Sequence, residues 1–115
     1  MIIRINNLKA ETIIGAYPAE RKAKRKIAIN LIIAYDATVA ANSDKLEDAL
    51  DYAAIEKIIL ASVAKQKFHL IEALASYVAH LVLAIERVRS VTVVIDKAKA
   101  IESADSVSVE YSVSK

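Results

Sequence analysis

Apolar residues in this chain recur at every second position, then at helical spacing, then at every second position again, and that order leaves few compact solutions. From Ile2 to about Ala41 the chain is rich in isoleucine. Ile27, Ile29, Leu31, Ile33 and Tyr35 fall on one side of an extended segment, and Ala28, Asn30, Ile32 and Ala34 on the other. This is a strand with both faces largely covered. Ile3 to Ile14 reads as its hairpin partner, joined through Gly15-Ala16-Tyr17-Pro18 and the basic run that follows. From about Asp44 to Glu86 the spacing becomes helical. Ile55, Ile58, Ile59, Ser62 and Val63 form one stripe, and Ile71, Leu74, Val78, Leu81 and Ile85 a second. Asp44 followed by Glu47 resembles a capping box, and Asp51 could equally open the first long helix. Lys65-Gln66-Lys67-Phe68-His69 reads as a short connection between the helices.

The chain then returns to strands. Val91, Val93 and Ile95 alternate with Thr92, Val94 and Asp96, and Val107, Val109, Tyr111 and Val113 alternate with Ser106, Ser108, Glu110 and Ser112. The predicted order is ββααββ in a single α+β domain spanning residues 1–115. Its compact form is a sheet of about four antiparallel strands with both helices on one face. Such a sheet is open at both edges, so a homo-oligomer built by sheet continuation is expected.

Composition narrows the chemistry. The chain has no cysteine, which removes thiol nucleophiles, zinc fingers and disulfides and suits a reducing cytoplasm. Gly15 is the only glycine, so neither a GxGxxG turn nor a phosphate-binding P-loop exists. The two histidines, His69 and His80, are eleven residues apart rather than three or four, and no metal site is expected. Sixteen lysines and arginines against fourteen acidic residues leave a net charge of +2, too little to imply nucleic acid. The most apolar run, Tyr77 to Ile85, falls far short of the roughly 18 residues that span a bilayer, and the N-terminus lacks the character of a signal peptide. Chemistry is left to carboxylates, lysines, arginines, tyrosines and hydroxyls.

Four places hold such groups in suggestive surroundings. Lys97 follows Asp96 at the end of an apolar strand, where partial desolvation would suit a general base; a solvated lysine leaving a strand is the ordinary alternative. Glu72 lies in the apolar stretch Leu70-Ile71-Glu72-Ala73-Leu74 at the start of the second helix. It either complements the helix dipole or accepts a two-pronged hydrogen bond from a guanidinium-like edge, such as a 2-amino-pyrimidinone ring. Tyr52 precedes a helical stripe and either packs or donates a proton, and Glu20 is a loop carboxylate of the kind usually solvated. Finally, Arg21, Lys22, Lys24, Arg25 and Lys26 put five cations in six positions. They form a solvated turn or an anion patch, and the absence of interleaved aromatics argues against nucleic acid.

Together these residues resemble a known family. Ile14-Gly15-Ala16-Tyr17-Pro18-Ala19-Glu20-Arg21, Asp51-Tyr52-Ala53, Leu70-Ile71-Glu72 and Asp96-Lys97 with Ala100 follow the order and approximate spacing of the dihydroneopterin aldolase family. The resemblance covers nearly the whole chain. It implies the tunnelling fold (T-fold), with subunits joined into a four-membered ring, alone or as two rings stacked in an octamer, and with a pterin pocket between subunits. It implies that Glu72, helped by the backbone of Ile71, anchors the 2-amino and N3 edge of the pterin. Ala16, Asp51 and Tyr52 would line the pocket, Tyr52 coming from the neighbouring chain. Lys97 would be the general base, Tyr52 the proton donor to an enol intermediate, and Glu20 the residue that positions side-chain hydroxyls or water. The implied reaction is a retro-aldol step of folate biosynthesis. It uses the pterin's own imine as electron sink and needs no metal, Schiff base or other cofactor.

Two departures stand out. Lys97 is followed by Ala98-Lys99, where aldolases carry Pro-Gly, and Arg25 stands where a glutamine is expected. The opening Ile2-Ile3-Arg4-Ile5-Asn6-Asn7-Leu8 and the stretch from Ile95 to Ser108 also resemble the sister enzymes, the dihydroneopterin triphosphate 2′-epimerases, in which re-addition on the other face follows the same bond cleavage. For those, the basic cluster and Lys99 would offset a triphosphate.

Overall fold

The computed structural model describes residues 1–115. Strand β1 (Ile2–Ile14) pairs antiparallel with β2 (Arg25–Tyr35), from Ile2 opposite Ala34 to Thr12 opposite Arg25. Their register shifts between Ile5 and Leu8, where Asn7 adopts φ 54° and its N–H donates to Asn30 Oδ1 at 2.9 Å. Asparagine tolerates this left-handed conformation better than most side chains, which is how a bulge forms here without glycine. The alternation carries no trace of it.

After β2, a short helix α1 (Thr38–Ser43) takes up the end of the stretch expected to be strand. Asp36 Oδ1 accepts from the Thr38 N–H at 2.9 Å and from its hydroxyl at 2.7 Å, turning the chain out of the sheet. Asp44 closes α1 in a left-handed conformation, φ 58°, so the Asp44–Glu47 capping box does not form. Asp51 instead opens α2 (Tyr52–Lys65), its carboxylate accepting from the N–H groups of Ala53 and Ala54 at 3.0 and 3.2 Å.

A two-residue strand β3 (Lys67–Phe68), helix α3 (Ile71–Leu83), β4 (Val88–Ala98) and β5 (Ser106–Ser114) complete the chain. The sheet order is β3-β1-β2-β4-β5, with five strands where about four were expected. The extra strand lies in the expected interhelical connection and pairs parallel with Ile13 and Ile14. Two residues show no periodicity, so only the crossing of the two segments reveals this strand.

Both long helices pack on the sheet, α2 against β1 and α3 against β4 and β5. Ile55, Ile59 and Val63 from α2 meet Leu74, Val78 and Val82 from α3 over Ile29, Leu31, Ile33, Val91, Val93 and Ile95. Ile58, placed in the α2 stripe by spacing, is 41% exposed at its margin. The buried Thr12 hydroxyl donates to the carbonyls of Val63 and Gln66, both at 3.1 Å, seating the end of α2 on β1. No helix is long and apolar enough to cross a membrane.

Candidate active site

Alternate residues of a strand share a face, so Lys97 continues the buried row Val91, Val93, Ile95 at the point where that row runs off the core. The amine therefore reaches the helix-covered side of the sheet rather than open solvent. There it meets Glu20, 77 residues earlier in the chain, at 2.6 Å from Nζ to Oε2. The two side chains are only 15% and 21% exposed. A loop carboxylate of a usually solvated kind is thus one half of a shielded ion pair.

The loop holding Glu20 is built tightly. Pro18–Arg21 forms a single 3-10 turn, with the Glu20 N–H bonded to the Tyr17 carbonyl at 3.0 Å. Glu20 Oε1 in turn accepts from the Tyr17 N–H at 3.3 Å, leaving Oε2 for Lys97. Gly15, at φ 147°, lies directly under this side chain, in a region of backbone space that strongly favours glycine. The Gly15 N–H donates to the Phe68 carbonyl at 3.1 Å, and the Arg21 guanidinium donates to the carbonyls of both Gly15 and Phe68 at 3.1 and 2.9 Å. Arg21, grouped by sequence with a solvated or anion-binding run, is instead the clamp that joins the loop to β3.

The clamp delivers the start of α3 to the same place. Ile14, Gly15, Ala16 and Tyr17 from the first loop, His69 to Glu72 from the second, and Glu20, Lys97 and Ala100 line an open cavity of about 290 Å³. Ile71 is half-buried against the core, while Glu72 is exposed in the first turn of α3 with no hydrogen-bond partner of its own. Of the residues proposed from sequence, Lys97, Glu20, Glu72, Ile71 and Ala16 come together here. Asp51 and Tyr52 do not: Asp51 caps α2 and borders a separate groove with Ala54, Ile58 and Arg87, and the Tyr52 side chain is 65% exposed beside it. His69, Leu70 and Tyr17 border the cavity without having been singled out as site residues. For His69 and Leu70 the available signal was adjacency to Ile71 and Glu72.

The Lys97 hydrogen bond holds the Glu20 carboxyl below its ordinary value of 4.5, helped by the Tyr17 N–H, against the opposing effect of burial. A carboxyl whose pKa falls on folding stabilises the native state above its unfolded value, and that contribution is lost as pH drops through the folded one. Unfolding by urea at pH 7 and pH 3 should therefore reveal a smaller acid-induced loss of stability in Glu20→Gln than in the parent. Equal losses in the two proteins would detach this carboxyl from the acid response.

Lys99, two residues past Lys97, has φ 53° and donates its N–H to the Asp105 carbonyl at 2.9 Å, closing the β4–β5 turn. A lysine occupies the left-handed conformation that glycine adopts at little cost.

These features agree with comparison to known proteins. The family model for dihydroneopterin aldolase matches residues 3–112. A dihydroneopterin triphosphate 2′-epimerase of Escherichia coli K12 is 38% identical over 111 residues, covering 96% of this chain and 92% of the relative. The dihydroneopterin aldolase of the same organism is 36% identical over 83 residues, covering 72% and 68%. The crystal structure of E. coli dihydroneopterin aldolase in complex with neopterin superposes with a TM-score of 0.93 at 32% identity over 98% of both chains. The α+β tunnelling fold expected from the sequence is thereby shown. The chain belongs to the dihydroneopterin aldolase family.

Proposed function

We propose that this protein cleaves the C1′–C2′ bond of a 7,8-dihydroneopterin by a retro-aldol step, giving 6-hydroxymethyl-7,8-dihydropterin and glycolaldehyde. The observation that carries the reading is one cavity bounded at once by the unpartnered carboxylate of Glu72 and by the Lys97–Glu20 ion pair. A 2-amino-pyrimidinone edge presents two parallel N–H donors, the pattern a carboxylate accepts best, and the Ile71 backbone lies beside it. With the ring held there, Lys97 passes its proton across the ion pair to Glu20, and the neutral amine so formed takes the 2′-hydroxyl proton, directly or through a bound water. As C2′ becomes the aldehyde carbon, the C1′–C2′ electron pair passes through C6 to N5, which gains a proton. The enol so formed is protonated at C1′, and N5 loses its proton as the imine returns.

The Tyr52 hydroxyl serves as proton donor from a neighbouring copy, with Asp51 fixing its position by opening α2. Ala16 borders the ring. This role requires a homo-oligomer, a tetrameric ring or two stacked in an octamer, working on a small pterin in the cytoplasm with no cofactor. Such a ring leaves both edge strands paired.

A second reading, 2′-epimerisation of dihydroneopterin triphosphate, is favoured by a specific observation: the epimerase match extends over 96% of this chain and the aldolase match over 72%. The two share the bond cleavage and differ in whether glycolaldehyde leaves or re-adds. Incubation of the intact protein with each substrate separates them. Free glycolaldehyde supports cleavage, the 2′-epimer of the triphosphate supports epimerisation, and turnover of neither leaves a pterin-binding ring protein. Glu72→Gln should weaken neopterin binding by about 1.5–3 kcal/mol, the range for a hydrogen bond to a charged group. An unchanged dissociation constant in calorimetry would remove Glu72 as the anchor.

A further inference from the structure

The core secures the segments around the cavity unequally. Helix α3, which carries Ile71 and Glu72, is anchored by the fully buried Leu74, Val78 and Val82. The Pro18–Arg21 turn, which carries Glu20, buries none of its residues. Apolar packing therefore does not fix its position, and two side chains moor it to other segments. Glu20 meets Lys97 of β4. Arg21 Nη1 reaches the Phe68 carbonyl of β3 at 2.9 Å while holding the Gly15 carbonyl at 3.1 Å.

These two moorings respond differently to a proton. When Glu20 takes up the Lys97 proton, the ion pair becomes a neutral acid beside a neutral amine, and its charge attraction is gone. That loss comes just as Glu20 has to stay within reach of the reacting groups. The Arg21 bonds are indifferent to the transfer, because a guanidinium keeps its charge at any working pH and peptide carbonyls do not titrate. Arg21 makes no ion pair and does not line the cavity, so it acts on the loop and not on a substrate. We propose that Arg21 is a positioning residue, holding Glu20 in register with Lys97 and Glu72 while the ion pair is neutralised. The role in turnover rests on the pterin reading of the cavity; the mooring itself does not.

Glu20→Gln copies the neutral acid without a change of pH, which allows the mooring to be tested apart from activity. Hydrogen exchange of the Gly15 N–H, bonded to the Phe68 carbonyl at 3.1 Å, reads the loop directly. In Glu20→Gln its protection should stay within about 3-fold of the parent. In the Glu20→Gln, Arg21→Ala double variant it should fall by about 10–100-fold, the equivalent of a hydrogen bond from a charged donor, with β4 amides unchanged. Protection lost in Glu20→Gln alone, kept in the double variant, or lost equally throughout β4 overturns the proposal.

Kinetics test the consequence. In Arg21→Ala, kcat for dihydroneopterin should fall by about 10–100-fold, as for a displaced catalytic group, while the neopterin dissociation constant stays within about 3-fold. Equal losses of kcat and affinity would make Arg21 a merely structural residue, and an unchanged kcat would release it from the mechanism; either overturns the positioning role. If the parent turns over neither dihydroneopterin nor its triphosphate, the pterin reading falls, and hydrogen exchange alone decides whether Arg21 moors the loop.

Discussion

Lys97→Ala should lower turnover by about 10²–10⁴-fold, the range for loss of a general base, with neopterin binding largely kept. Lys97 and Glu20 meet at 2.6 Å and are mostly shielded from water, so the alanine variant removes an amine and also strands a carboxylate. Lys97→Arg distinguishes the two losses. Its guanidinium preserves the positive partner of Glu20 but cannot give up a proton at any working pH. If the amine accepts the 2′-hydroxyl proton, the arginine variant should be as inactive as the alanine variant while keeping the acid-stability profile of the parent. Arginine restoring wild-type turnover would show that only charge is needed at this position. Wild-type turnover in Lys97→Ala would remove the residue from the mechanism altogether.

Gly15→Ala should be nearly as damaging, although Gly15 carries no side chain to react. A Cβ on Gly15 would stand 2.7 Å from Glu20 Oε1 and still closer to the carbon atoms of that side chain. It would do so on a backbone at φ 147° that L-residues rarely adopt. Overpacking and the unfavourable backbone together should cost about 2–4 kcal/mol in urea unfolding. Relief comes most readily by pushing Glu20 away from Lys97, so turnover should fall by about 10²-fold, as expected for a displaced catalytic group. Two further readouts tie that loss to Glu20. The acid-induced loss of stability should shrink as in Glu20→Gln, and neopterin binding at Glu72 should change less than turnover. A Gly15→Ala variant that retains both full turnover and the parent's acid response would show that the Glu20 position does not depend on this glycine.

The four main strands and two long helices were legible because their apolar spacing is long and regular. β2 runs from Arg25 to Tyr35 and β5 from Ser106 to Ser114, close to where alternation places them. Elements that escaped were short or held by distant partners. β3 is two residues long, α1 is six, and the Asn7 bulge depends on Asn30 across the hairpin. The choice between Asp44 and Asp51 as the helix opener was also beyond local pattern, since both precede helical spacing. It turned on which residue the chain needed for a left-handed stop, and that was Asp44 at φ 58°.

The site divides in the same way. Motif order brought Lys97, Glu72, Glu20, Ile71 and Ala16 into consideration, and strand parity alone places Lys97 on the face of Val93 and Ile95. Spacing could not say that Glu20 pairs with Lys97 or that Arg21 is spent on the carbonyls of Gly15 and Phe68. Nor could it say that Asp51 and Tyr52 lie at a different groove of the same chain. Each is a contact between segments far apart along the backbone, whose geometry is set by the packed helices and sheet.

By itself, then, the order of hydrophobic periods determined the ββααββ architecture, because each period has one buried face and the faces must cover one another. The residue types excluded thiol and histidine-cluster chemistry and left carboxylates, lysines, arginines, tyrosines and hydroxyls. Only the tertiary structure decided which of those charges neutralise one another and which stay free. Charge pairing depends on distances of a few ångströms between residues as far apart along the chain as Glu20 and Lys97, and it leaves Glu72 without a partner.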